Sequence, residues 1–219
     1  MNGKFIVFEG IDGSGKGTII KMFENYLLES GAAKSDILVT AEPTDGKYGR
    51  ELRSMLSRCK NPKENALLFL ELYVKDRREH IKNTILPALS QGKIVLCDRY
   101  KYSTIAYQAA QGIPNEKLIE IHNKMPVPDI ALIFDISPEI AISRIESAHE
   151  RNGKDVFEKQ KFLEKVRANF LRMPVFFPKE NIAIIDVSNE VGNVFEVVKS
   201  ELVEAGIFNE KSKSEKGAT

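Results

Sequence analysis

Five short apolar runs, at residues 5–8, 37–40, 94–97, 130–136 and 182–187, are separated by longer stretches of helical periodicity. The runs lack the apolar–polar alternation of a half-exposed strand, so each is expected to be a strand buried on both faces. Between them, Ile19, Ile20, Phe23 and Leu27 recur at helical spacing. So do Leu118, Ile121 and His122, and Val194, Val197, Val198 and Leu202. Strands alternating with helices imply an α/β fold with a five-stranded parallel sheet and helices on both faces. At 219 residues and 42% hydrophobic content, the chain suits one large domain, expected over residues 1–208. Residues 209–219 are polar and read as a disordered tail, and residues 146–155 as a second mobile stretch.

The first run ends in Gly10-Ile11-Asp12-Gly13-Ser14-Gly15-Lys16-Gly17-Thr18, with a helical pattern beyond. Glycines at this spacing let backbone N–H groups turn inward around phosphate oxygens. The helix N-terminus adds the positive end of its dipole, and Lys16 reaches the outer phosphates. The strict phosphate-loop pattern places Ser or Thr directly after the lysine, as a Mg²⁺ ligand. Gly17 stands there instead, so either Thr18 substitutes or the ion is held mainly by ATP and water. A guanine-reading Asn-Lys-x-Asp is missing, since Asn123-Lys124-Met125-Pro126 lacks the acid. That counts against a GTPase switch.

The third run leads into Asp98-Arg99-Tyr100. An acid at the end of a buried strand beside the phosphate loop can orient Mg²⁺ or its waters. The neighbouring arginine can bind an acceptor phosphate bidentately. A plain strand-end ion pair is the competing reading. Asp135 ends the fourth run, and the Ile136-Ser137-Pro138 that follows favours helix capping over metal binding. The net charge of +1 gives no basis for a stripe able to hold duplex nucleic acid. No apolar run is long enough to span a bilayer, and no leader-like segment precedes the first strand. Cys59 and Cys97 have neither metal-clip nor redox spacing, and Cys97 reads as a buried thiol. A reducing, cytoplasmic setting without nucleic-acid or membrane partners is expected.

The phosphate loop, Glu42-Pro43, Asp98-Arg99-Tyr100 with Ser103 through Gln108, and Phe157-Glu158 with Phe162-Leu163-Glu164-Lys165-Val166-Arg167 together resemble thymidylate kinases, in order and spacing, from about residue 3 to residue 205. The resemblance implies the P-loop nucleoside monophosphate kinase fold with a mobile lid at about 144–157, and a homodimer. It also implies transfer of the ATP γ-phosphoryl group to dTMP, with Mg²⁺, in dTTP biosynthesis. By the same resemblance, Asp12 holds the sugar of the monophosphate, Glu42 lies near the acceptor or Mg²⁺, and Arg53 binds phosphate unless it belongs to a solvated helix face at 49–58. Tyr73 stacks on thymine and Arg77 hydrogen-bonds its carbonyl. Phe69, on the same helical face, reads rather as core. Ser103, Thr104 and Gln108 border the base, with helix capping a further role open to Ser103, and Tyr107 lies against the sugar. The loop carries no arginine at Gly13 or Ser14, so a transition-state cation is expected from the lid: Arg151, supported by Arg144 and near Lys154. The Gly15-Lys16-Gly17-Thr18 ending resembles adenylate kinases instead. Another monophosphate kinase, acting on dUMP, UMP, CMP or AMP, therefore stays open as an alternative, as does a nucleotide-binding switch without turnover.

Overall fold

Each apolar run becomes a strand: β1 (Lys4–Gly10), β2 (Ile37–Ala41), β3 (Ile94–Asp98), β4 (Ile130–Asp135) and β5 (Ile182–Asp186). They form one parallel five-stranded sheet in the order β2-β3-β1-β4-β5. The computed structural model describes residues 3–59, 64–147 and 156–207, with backbone alone at 156–158. Consecutive residues of β1, β3 and β4 are buried, so both faces of the central sheet are covered. The expectation of full burial fails at the edges. Val39 in β2 and Ile184 in β5 are each 42% exposed, because an edge strand has a neighbour on one side only.

The connecting helices are α1 (Lys16–Glu29), α2 (Lys47–Arg58), α3 (Ala66–His80), α4 (Leu86–Ser90), α5 (Lys101–Ala110), α6 (Asn115–His122), α7 (Pro138–Ser147), α8 (Val156–Leu171), α9 (Met173–Phe176) and α10 (Val191–Glu204). In α1 the stripe of Ile19, Ile20, Phe23 and Leu27 is buried, as are Val194, Val198 and Leu202 of α10, and the two helices pack together. Helix α5 packs against α6 and α8. A π-helical turn at Ile81–Ile85 joins α3 to α4. Pro87 lies just beyond it. A proline has no N–H for the i−4 carbonyl, and a locally widened turn accommodates that loss without ending the helix.

The sheet order places a topological switch between β1 and β3: the chain leaves β1 toward β2 on one side and leaves β3 toward β4 on the other. Ligands in open parallel sheets bind in the crevice outside the carboxyl ends at such a point. Phe8 and Ala41 both stand in register with Asp98. The ladder continues past the strands, with Arg99 N–H donating to the Phe8 carbonyl at 2.9 Å and Glu42 N–H to the Asp98 carbonyl at 2.9 Å. Sheet hydrogen bonds thus set the backbone of two expected site residues. Residues 144–147 complete α7 and 156–157 begin α8. The rest of the expected lid, Arg151 and Lys154 with it, and the tail at 209–219 lie outside the described residues.

Candidate active site

The loop between β1 and α1 is pinned from outside. Gly13 has φ 84, and a Cβ there would lie 2.3 Å from the Ala141 carbonyl oxygen of α7. Helix α1 starts without a side-chain cap, so its first N–H groups are left for an anion. Lys16 is buried and folds back to donate to the carbonyls of Gly10 and Ile11, both at 3.2 Å. Burial, and then the charge of Arg99, push its pKa down to about 8.

Arg99 is the one non-glycine residue with positive φ, 69°, among the described residues. Its Nη1 donates to the Gly10 carbonyl at 3.1 Å and to Ser103 Oγ at 2.9 Å, and its Nη2 to Asp12 Oδ1 at 2.7 Å. Burial works against ionisation of Asp12, but the charges of Arg99 and Lys16 outweigh it and hold its pKa below the usual range. Glu9 of β1 completes the cluster. It accepts from the N–H of Tyr100 at 2.8 Å and of Ser103 at 3.1 Å, and from the Ser103 hydroxyl. Two orphan donors at the start of α5 are thereby satisfied by a carboxylate from the sheet. The expected capping role of Ser103 is corrected accordingly: Tyr100 is the N-cap, and Ser103 is the third helical residue. Burial raises the Glu9 pKa to about 7. Glu9 was absent from the expected site; its signal is an acid inside the apolar first strand, Phe8-Glu9-Gly10.

A second cluster is built on α3. Arg77 is fully buried. Its Nε donates to Glu42 Oε2 at 2.7 Å, and its Nη2 to the Tyr100 carbonyl at 2.9 Å and to Thr104 Oγ1 at 2.8 Å. The other Glu42 oxygen lies 3.0 Å from His80 Nδ1, whose Nε2 meets Thr40 Oγ1 at 2.7 Å. Both oxygens of Glu42 therefore hold protein groups. Asp76, one residue before Arg77, accepts from Thr44 N–H at 2.8 Å and Thr44 Oγ1 at 2.6 Å. Gly49 lets that loop approach α2, since a Cβ there would stand 1.9 Å from the Thr44 carbonyl oxygen. Arg53 is half-exposed and donates to the carbonyls of Pro43 and Thr44, both at 2.7 Å, and to Asp45 at 2.5 Å.

These clusters border one cavity of about 370 Å³. Asp12, Glu42, Arg53, Tyr73, Arg77, Arg99, Ser103, Thr104, Tyr107 and Gln108 all line it. Pro43, Leu56, Phe69, Tyr100 and Gln111 line it too. Phe69, read as core, is also buried in a small apolar cluster with Leu52 and Leu72. The Arg99 guanidinium lies over the Tyr107 ring, 5.4 Å from its centroid. Both amide hydrogens of Gln108 are used on protein, to Ala66 O at 3.0 Å and Gln111 Oε1 at 2.8 Å.

A larger, open cavity of about 870 Å³ lies across the Pro43–Thr44 loop, with Gly17, Thr40, His80 and Asp98 in its wall. Thr18 lines neither cavity. Asp98 Oδ1 is buried with no hydrogen-bond partner among the described residues. An unpartnered carboxylate oxygen beside the phosphate loop fits Mg²⁺ or one of its waters. Among the described residues no group of three or more His, Cys, Asp or Glu side chains could hold a metal ion alone. Asp135 does not cap α7. It accepts a bidentate pair from Arg167, at 2.6 and 2.9 Å, while Ser137 Oγ meets the Ile140 N–H at 3.4 Å. Arg144 donates to the Val187 carbonyl at 3.0 Å.

The thymidylate kinase family model matches residues 8–198. A thymidylate kinase of Desulfotalea psychrophila is 45% identical over 168 residues, covering 77% of this chain and 80% of its own. A probable thymidylate kinase of Pyrococcus abyssi is 39% identical over 214 residues, covering 93% and 99%. The crystal structure of thymidylate kinase from Ehrlichia chaffeensis superposes with a TM-score of 0.72 at 29% identity, covering 91% of this chain and 99% of that one. The phosphate loop, the crevice beside it and the match across most of the length agree: this chain belongs to the thymidylate kinase family.

Proposed function

We propose that this chain transfers the terminal phosphoryl group of ATP to dTMP, giving dTDP and ADP, with dTMP seated in the 370 Å³ cavity. The observation that carries the reading is the convergence of all ten expected acceptor residues on one cavity that reaches the phosphate loop at Asp12, to which Arg99 is bonded. The acceptor is a phosphate monoester whose oxygen is already a nucleophile, so no general base is needed. The work is to align two polyanions and meet the charge on the transferring group. Lys16 and the α1 N–H groups serve the donor, and Arg99 and Arg53 the acceptor phosphate. Tyr73 and Arg77 face the base, bordered by Ser103, Thr104 and Gln108, and Tyr107 faces the sugar. Asp98 would hold Mg²⁺ or one of its waters, and the ion would supply positive charge against the donor phosphates. Arg151 in a lid at 144–157 supplies a further cation, and Arg144 borders ATP.

Residues 1–208 act as one domain in a reducing, cytoplasmic setting, which the two unpaired cysteines support. Two copies form a homodimer; the exposed Leu67 and Leu68 at the start of α3 support a partnered surface there. The test is ADP release with ATP and Mg²⁺ across dTMP, dUMP, ribo-TMP, CMP, UMP and AMP. A clear preference for dTMP is expected, smallest over dUMP, because one methyl group is worth only about 1–3 kcal/mol. Preference for AMP or CMP would overturn the base-pocket assignments. ADP release independent of any acceptor would point to a switch.

A further inference from the structure

His122, the last residue of α6, is fully buried and does not line the acceptor cavity. No motif of the sequence assigns it a role. Its Nδ1 lies 2.6 Å from the Leu118 carbonyl oxygen, which can only accept, so Nδ1 carries the hydrogen. Its Nε2 lies 3.0 Å from Arg77 Nη1, which can only donate. Both contacts call for the neutral ring in a single tautomer. Burial, and next the charge of Arg77, push its pKa down to about 3, in keeping with that state.

A guanidinium has five N–H groups. In Arg77, Nε–H goes to Glu42, both hydrogens of Nη2 go to Tyr100 O and Thr104 Oγ1, and one hydrogen of Nη1 goes to His122. Among the described residues one donor remains without a partner, the second hydrogen of Nη1, on the same nitrogen that His122 holds. We infer that His122 is a positioning residue for substrate selection: by accepting from Nη1 it leaves Arg77 a single, directed donor for the base. This inference rests on dTMP as the acceptor. A fixed donor suits a base edge with a carbonyl at that point and opposes one with an amino group, as in dCMP. Without His122, Nη1 keeps two donors in a buried space. An unsatisfied buried donor is costly, so the guanidinium swings to find partners and loses its aim.

The test compares kcat and KM for dTMP and dCMP in the unmodified protein, His122→Leu and His122→Gln, with melting temperatures alongside. Gln offers one acceptor and one donor side, like the neutral ring; Leu offers neither. In His122→Leu, KM for dTMP is expected to rise roughly tenfold with kcat little changed. The dTMP-to-dCMP ratio of kcat/KM should fall by a similar factor, and His122→Gln should recover most of both. An unchanged ratio in a folded His122→Leu overturns the inference. So does a His122→Gln protein as impaired as His122→Leu at equal melting temperature, because packing alone would then explain the loss. If His122→Leu does not fold, ¹⁵N histidine spectra of the unmodified protein decide. A neutral Nδ1–H ring from about pH 6 to 8, with an Nε2 signal that moves on adding dTMP, supports the inference. An imidazolium, or an Nε2 signal indifferent to dTMP, overturns it. An unmodified protein that does not prefer dTMP overturns the parent reading as well, whereas a preference for dTMP that survives in His122→Leu removes this inference alone.

Discussion

Arg99 Nη2 lies 2.7 Å from Asp12 Oδ1, so the residue that leaves β3 is bridged to the loop that leaves β1. An acceptor phosphate reaching Arg99 competes with that carboxylate and meets a guanidinium already aimed. Arg99→Ala is expected to lower kcat/KM for dTMP by about 10²–10³-fold, the scale of removing one preorganised charge. Arg99→Lys should recover only part, since it loses the planar fork. Near-normal turnover in Arg99→Ala would take the residue out of the mechanism. Stability is expected to move separately. The left-handed backbone at Arg99 costs a side-chain-bearing residue about 1–2 kcal/mol, a cost that glycine escapes. Arg99→Gly should therefore melt higher than Arg99→Ala while being equally inactive; the reverse order of melting temperatures would refute the strain.

Lys16 gives a pH signature. Its pKa is pushed down to about 8, so it is charged at neutral pH and loses its proton as pH rises through about 8. The triphosphate needs the charged form. ATP affinity is thus expected to be steady below that value and to fall by up to about tenfold per unit above it. Titration calorimetry across the range checks this, with Lys16→Arg as the control that should flatten the profile. A flat profile in the unmodified protein would exclude the role.

Glu9 gives a second signature, in stability. Its folded pKa is raised to about 7 from a reference of 4.5. Between those values the folded state keeps a proton that the unfolded state has lost, so this group's contribution to stability diminishes as pH rises through the window. Glu9→Gln lacks the titration. The melting temperature of Glu9→Gln relative to the unmodified protein should climb from about pH 5 to pH 7 and level off above. A constant difference would mean that Glu9 is ionised throughout.

Gly17 stands where a hydroxyl commonly serves Mg²⁺, and a Cβ there meets nothing within 4 Å. It shares a cavity wall with Asp98. Gly17→Thr should fold normally and bind ATP more tightly in Mg²⁺ than without it, by a larger margin than the unmodified protein. Calorimetry with and without the ion measures the margin, and an unchanged one would show that the added hydroxyl does not reach the ion.

The sheet was readable because a parallel strand buried on both faces must be a continuous apolar run, as β1, β3 and β4 are. Edge position leaves no such mark: β2 and β5 have the same composition yet are half-open, since exposure there depends on which strands stand beside them. The roles of Tyr73 and Arg77 at the base rest on the family resemblance, while the helical face they share with Phe69 was legible from spacing. Partners were not. Ser103 resembles a cap locally, but the capping carboxylate comes from Glu9, 94 positions away. Asp135 likewise looks like a cap until Arg167, 32 positions on, claims both oxygens. The links from Arg77 to Glu42 and His122 join residues 35 and 45 positions apart, which no local pattern announces.

The π-helical turn at Ile81–Ile85 bears on how the family's chain length can vary. A widened turn is where a helix has taken in an extra residue without breaking. Upstream of it Tyr73 and Arg77 face the cavity; downstream the Leu89 carbonyl receives the Gly3 N–H at 3.1 Å and seats the start of β1. Deleting one residue between 81 and 85 would restore ordinary pitch, and because the widened turn absorbs its extra residue locally, both the cavity wall before it and the seat of β1 beyond it would stay where they are. Single-residue insertions and deletions among relatives should therefore collect at this turn rather than in the roughly four helical turns of α3 before it.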